Sequence, residues 1–239
     1  MPHLPILLFD IDGVFIQSHG YRKAFFNTIE YYFKQFGAPE KALDEAVYLE
    51  FEHSPFTAEW DMAPITIAAF LNWYAASHPE ILPYSELKSI SKLPEINDVN
   101  SFSANLQALI PLMAEAFGNR VRPTEWLFRN SQEQNRDLFF PIICHDAIFR
   151  EILHDSLNPQ TSQIFQTLET YLIGSEQFET VFGIPSTIST ESTLENEDIP
   201  LLSQDWSKKI MEGINKDFYA TFITARPNVP KQVQEKRVF

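Results

Sequence analysis

Apolar and polar positions follow two rhythms along this 239-residue chain. Ile6-Leu7-Leu8-Phe9 is a short unbroken apolar run, and a second one, Tyr219-Ala220-Thr221-Phe222-Ile223-Thr224, lies near the other end. Runs of this length fit strands buried on both faces, as in a parallel sheet covered by helices. Between them the period becomes helical. Tyr21, Phe25, Thr28 with Ile29, Tyr32 and Phe36 recur every three or four positions, and Gly37 follows as a closing residue. The same reasoning predicts helices over 42–51, 64–77 (Pro64 in the first turn, Pro79 as the stop), 103–117, 146–154, 161–173 and 206–215. The aromatic stripe from Tyr21 to Phe36 reads as core packing or as the lining of a substrate entrance.

Two stretches lack either rhythm. Residues 83–100 are rich in Ser, Pro and Asn, and residues 183–205 combine Pro, Ser, Thr and acidic residues. Both read as connectors, the second as a flexible linker. The division that follows places 1–18 with 206–239 in a partial α/β core, 19–182 in a helical insertion, and 183–205 between them.

Composition narrows the partners. With 44% hydrophobic residues, 21 Phe among them, the chain can fill one large or two modest cores. A formal charge of −14 repels nucleic acid and anionic membrane, so a small or cation-assisted ligand fits better. The single cysteine, Cys144, rules out an internal disulfide framework and suits a reducing compartment. Met1-Pro2-His3-Leu4-Pro5 lacks the basic n-region of a signal peptide, and no run reaches the roughly 20 apolar residues of a membrane span. A cytoplasmic location is the expectation.

The chemistry gathers where the first apolar run stops, at Asp10-Ile11-Asp12-Gly13. Ligands of open α/β folds collect at the carboxyl ends of the strands. Residues i and i+2 of an extended segment point the same way, so the two carboxylates can face one small volume, and Gly13 permits a tight exit. Close carboxylates repel unless a cation lies between them or one holds a proton. A divalent metal and a phosphate sharing the site would resolve that conflict, one aspartate attacking and the other moving the proton. A calcium loop would continue with further acids at alternate positions, whereas Val14, Phe15 and Ile16 follow here.

"LLFDIDGVF" resembles the first motif of the haloacid dehalogenase-like phosphohydrolases, an apolar strand followed by D-x-D-G, and "ATFITARP" is similar to their second motif, a strand ending in Thr or Ser. The resemblance covers roughly residues 5–18 and 219–228. It implies a doubly wound, Rossmann-like parallel core, here partial, with a large, mainly α-helical cap inserted between the two motifs. It also implies a Mg²⁺-dependent phosphatase acting on a small phosphorylated metabolite. Asp10 would be the nucleophile that forms an aspartyl-phosphate, and Asp12 the general acid/base. Thr224, with Ala225, Arg226 and Gly13 beside it, would bind the phosphoryl group. Mg²⁺ would be held by the Asp10 carboxylate and the Asp12 main-chain carbonyl. A phosphomutase would use the same aspartates, and a non-catalytic binding or regulatory module would keep the fold without turnover.

The match also departs from the family. Its third and fourth motifs, a Lys and a terminal acid or acid pair on later βα units, have no counterpart in the 15 residues after Thr224. A βαβ unit takes about 30 residues or more. The expectation is therefore a C-terminally truncated chain of impaired activity, whose sheet needs a partner chain or a further segment to be complete. Among other candidates, Ser18 and Gln17 read as helix-capping residues and Cys144-His145-Asp146 as a helix start. Arg120, Arg122, Arg129, Arg136 and Arg150 would form a basic pocket if they converged.

Overall fold

In the computed structural model the chain is described over residues 4–39, 43–79, 86–90, 99–118, 121–133, 139–143, 147–214 and 216–223. The architecture is mixed α/β and predominantly helical, with a small parallel two-stranded sheet. β1 (Ile6–Asp10) leads through β2 (Ile16–Gln17) into α1 (Gly20–Phe36). The helices α2 (Glu45–Glu52), α3 (Glu59–Ala75), α4 (Val99–Ala116), α5 (Pro123–Glu133), α6 (Ala147–Leu153), α7 (Gln163–Ile173), α8 (Ser175–Phe182) and α9 (Thr193–Glu197) follow. The chain returns through β3 (Ile199–Pro200) and α10 (Gln204–Gly213) to β4 (Tyr219–Ile223).

α1 forms where its stripe predicts. Phe25, Ile29, Tyr32, Phe33 and Phe36 are buried, and Gly37 closes the helix in the left-handed region at φ 87°, a conformation that glycine adopts without strain. The stripe meets α3, whose Phe70 lies 4.3 Å from Phe33 and stacks on Phe36 at 5.8 Å, while Phe102 of α4 closes on Phe70 at 5.2 Å. This is the core itself, so the reading of the stripe as packing holds. α3 is buried nearly all round, as befits a central helix that is apolar on every side. It starts at Glu59, five residues before the predicted start, and Pro64 lies inside it. The proline therefore removes one helical hydrogen bond instead of beginning the helix, and the apolar Met62 and Ala63 join the buried run.

A smaller cluster joins Ala24 of α1 to Leu168 and Leu172 of α7 and Phe178 of α8. Ser162 caps α7 by accepting from the Phe165 N–H at 3.2 Å, and Ser203 caps α10 from Trp206 at 3.4 Å.

The segment 183–205, expected as a flexible linker, is bonded to neighbouring elements from residue 188 onward. The Ser175 hydroxyl donates to the Thr190 and Ile188 carbonyls, the Ser192 hydroxyl to the Leu172 carbonyl at 2.7 Å, and the Thr193 hydroxyl to the Gly20 carbonyl at 2.9 Å. Its Ser and Thr side chains bond to backbone groups of neighbouring elements, a use that composition alone does not distinguish from solvation.

β1 and β4 pair in parallel, with Ile6 opposite Tyr219 and Asp10 opposite Ile223. The two apolar runs thus become adjacent strands, but not buried ones. Ile6 is 67% and Leu8 65% exposed, because among the described residues β1 has one neighbouring strand and no helix lies over the face shared by Ile6 and Leu8. The opposite face is partly covered, Phe15 packing over Phe9 and Phe222 with ring centroids 5.4 and 6.0 Å away. No helix among the described residues is long and apolar enough to cross a membrane.

Candidate functional site

Asp10 is the last residue of β1 and is exposed to solvent. The parallel ladder continues one step past it, the Ile11 N–H donating to the Ile223 carbonyl at 3.0 Å. The chain then turns sharply. The Ile11 carbonyl accepts from the N–H groups of Phe15 and Ile16 at 2.9 and 3.1 Å, and the Gly13 N–H donates to the Ile16 carbonyl at 2.8 Å. Gly13 sits in the left-handed region at φ 77° with open space where a Cβ would go. Backbone conformation, not crowding, is therefore what requires glycine there.

Asp12 lies two residues past the end of the strand, half-buried and bridged to Ile16. Its Oδ1 accepts a hydrogen bond from the Ser18 hydroxyl at 2.9 Å. This bond fixes the carboxylate against the loop that carries it. It also corrects the reading of Ser18 as a helix cap: the N-cap position of α1 is His19, which makes no side-chain cap bond. The cap is provided instead by Asp198, whose Oδ1 accepts from the N–H groups of His19 and Gly20 at 2.9 and 2.8 Å across 179 and 178 residues. Nothing local in the sequence pairs Asp198 with the start of α1. Gln17 belongs to β2, opposite Ile199 of β3.

The structure brings the strand bearing Asp10 beside the strand that leads to Thr224. Thr224, Ala225 and Arg226 themselves lie outside the described residues, as do Cys144-His145-Asp146, Arg120 and Arg136. The remaining arginines are engaged where they stand: Arg122 pairs with the buried Asp61 at 2.9 Å, Arg129 with Glu125 at 2.7 Å, and Arg150 lies over the Phe128 ring.

Among the described residues no group of three or more His, Cys, Asp or Glu could hold a metal ion. The Asp10 carboxylate and the Asp12 carbonyl are hard oxygen donors of the type Mg²⁺ takes. Because that ion keeps several waters and binds through one or two carboxylates plus substrate phosphate, such a small donor set suits it.

One further carboxyl has unusual surroundings, away from this loop. Glu169 of α7 is 1% exposed, accepts from the Trp60 indole N–H at 2.7 Å through Oε1, and has no hydrogen-bond partner at Oε2. Burial pushes it up to about 7, the Trp60 bond opposing the shift.

No family model, curated protein or solved structure matches the chain.

Proposed function

We propose that the loop Asp10-Ile11-Asp12-Gly13 is a phosphoryl-transfer site of the haloacid dehalogenase-like type, serving a phosphatase that acts on a small phosphorylated metabolite. The observation that carries this reading is the register of the sheet. Ile223 lies opposite Asp10 in a parallel pair, so the strand that precedes Thr224 ends level with the first aspartate, although 214 positions separate the two residues. On this reading the two motifs, carried by paired strands, would serve one sheet edge, where α/β folds bind ligands.

In this mechanism an Asp10 carboxylate oxygen attacks phosphorus, forming an acyl-phosphate bond as the bond to the leaving alcohol oxygen breaks. Asp12 gives its proton to that oxygen. In the second half-reaction Asp12 takes a proton from water as the water oxygen bonds to phosphorus, which releases phosphate and restores the Asp10 carboxylate. The Ser18 hydroxyl keeps Asp12 directed during both transfers. Bound Mg²⁺, held by the Asp10 carboxylate and the Asp12 main-chain carbonyl, would offset the negative charge of the phosphoryl group.

The reading includes a doubly wound core in which α1 to α8 form a cap over the site. Such a core places a strand on each side of β1 and helices over the face that Ile6 and Leu8 expose; a partner chain or a further segment would supply them. A binding or regulatory module that keeps this loop without turnover is the second reading.

Hydrolysis of p-nitrophenyl phosphate with Mg²⁺, measured for the wild type beside Asp10→Asn, separates the two. Turnover abolished by the substitution supports the phosphatase. Phosphate binding without turnover in either protein supports the module.

A further inference from the structure

The chain crosses between the sheet and the helical body at two places, residues 17–20 and 198–201, and the two crossings are fastened to each other. Asp198 Oδ1 accepts from both the His19 and Gly20 N–H groups, donors that a helix start otherwise leaves without intrahelical partners. Just before it, the Thr193 hydroxyl donates to the Gly20 carbonyl in a buried bond. A Cβ on Gly20 would lie 2.8 Å from both Leu194 Cα and the Thr193 carbonyl oxygen, so α9 rests directly on the first residue of α1. Just after it, Ile199 and Pro200 pair with Gln17 and Ile16, and the Leu201 N–H donates to the Phe15 carbonyl at 2.8 Å. Asp198 thus sits between a strand that holds residues 15–17 and a helix that holds residue 20.

We propose that Asp198 is a positioning residue for Asp12. Ser18 directly precedes the two backbone N–H groups that Asp198 anchors, so the clasp sets the backbone position from which the Ser18 hydroxyl reaches Asp12 Oδ1. Removing Asp198 leaves the two donors without that acceptor, loosens the backbone that carries Ser18, and leaves the Asp12 carboxylate less firmly held. This inference rests on the reading of Asp12 as the proton-transfer group, while the clasp itself stands on the hydrogen bonds alone.

The test uses the full chain with Asp198→Ala, Asp198→Asn, Ser18→Ala and the Asp198→Ala/Ser18→Ala double variant. Asparagine keeps the accepting oxygen, so Asp198→Asn is the conservative rescue; Asp198→Ser, whose oxygen is set closer to the backbone, replaces Asp198→Ala if that variant does not fold. Amide hydrogen exchange at His19 and Gly20 is expected to be about tenfold faster in Asp198→Ala and close to wild type in Asp198→Asn. With p-nitrophenyl phosphate and Mg²⁺, kcat is expected to fall about tenfold in Asp198→Ala and in Ser18→Ala, with KM little changed. The double variant is expected to fall no further than either single one, because both changes break the same contact. Unchanged exchange at His19 and Gly20, or losses that multiply in the double variant, would overturn the inference. If the wild type shows no turnover, the proposed phosphatase fails and the Asp12 side-chain ¹³C carboxyl shift becomes the readout. A common displacement in Asp198→Ala and Ser18→Ala sustains the inference, and an Asp12 shift unmoved in Asp198→Ala refutes it.

Discussion

Phe70 and Leu8 both belong to strongly apolar stretches, yet Phe70 is fully buried and Leu8 is 65% exposed. The first lies in a helical body whose aromatic rings enclose one another on every side. The second lies in a two-stranded sheet with one bare face. The contrast separates two kinds of work. The helical body holds the apolar burial that stabilises the chain, and the sheet presents the groups that carry its proposed chemistry. A parallel pair of strands has little independent stability, so the sheet depends on the body through the fastening between residues 15–20 and 193–201.

Substitution should expose that division most plainly. Phe70→Ala is expected to cost about 3–5 kcal/mol in chemical denaturation, the usual range for emptying a packed aromatic site. A loss below about 1 kcal/mol would mean that the body is looser than its ring contacts imply.

The next effect lies in the pH dependence of the body. Glu169 titrates near 7 in the folded chain against an ordinary value of 4.5, so the folded state keeps its proton longer than the unfolded one. Its contribution is fully present below about pH 4.5 and is lost as pH rises through about 7. Stability is expected to fall by about 2.5 kcal/mol between pH 5 and pH 8 on this account. Burial raises Glu59 and Glu151 as well, which adds to the same trend. Glu169→Gln should flatten the curve, and a slope identical to wild type would exclude Glu169 as its source.

Smaller effects are expected in the sheet. Gly13→Ala forces a side chain onto a positive φ and is expected to cost about 1–2 kcal/mol, seen as a lower melting temperature. Leu8→Ala removes a side chain already in water and should change stability by less than about 0.5 kcal/mol. A Leu8→Ala cost approaching that of Phe70→Ala would show that this face is covered in solution and would remove the contrast.

Local pattern made much of the body readable. The period of Tyr21 to Phe36 and the glycine after it locate α1 because both signals belong to the helix itself. Pro64 misleads for the opposite reason: proline is favoured in a first turn, yet tertiary burial of α3 carries the helix through it. α5, α8 and α9 have no counterpart among the predicted helices, and α9, only five residues long, lies inside the stretch read as a connector. In the sheet, the likeness of the two apolar runs points to β1 and β4, but their exposure follows from which elements lie beside them, and no residue in either strand encodes that. The site divides in the same way. Asp10, Asp12 and Gly13 are visible as a contiguous motif. The Ser18 bond was open to misassignment because a serine ahead of a helix so often caps it, and Asp198 was hidden by 178 intervening residues.

The central claim is that Asp10 is the residue phosphorylated, and trapping that bond tests it most directly. The chain would be incubated with acetyl phosphate and Mg²⁺, reduced with borohydride, which converts an aspartyl-phosphate to homoserine, and digested for peptide mass spectrometry. The account predicts homoserine at position 10, aspartate retained at position 12, and no conversion in Asp10→Asn. Unmodified Asp10 alongside a converted Asp12, or no conversion at any aspartate in the wild type, would contradict it.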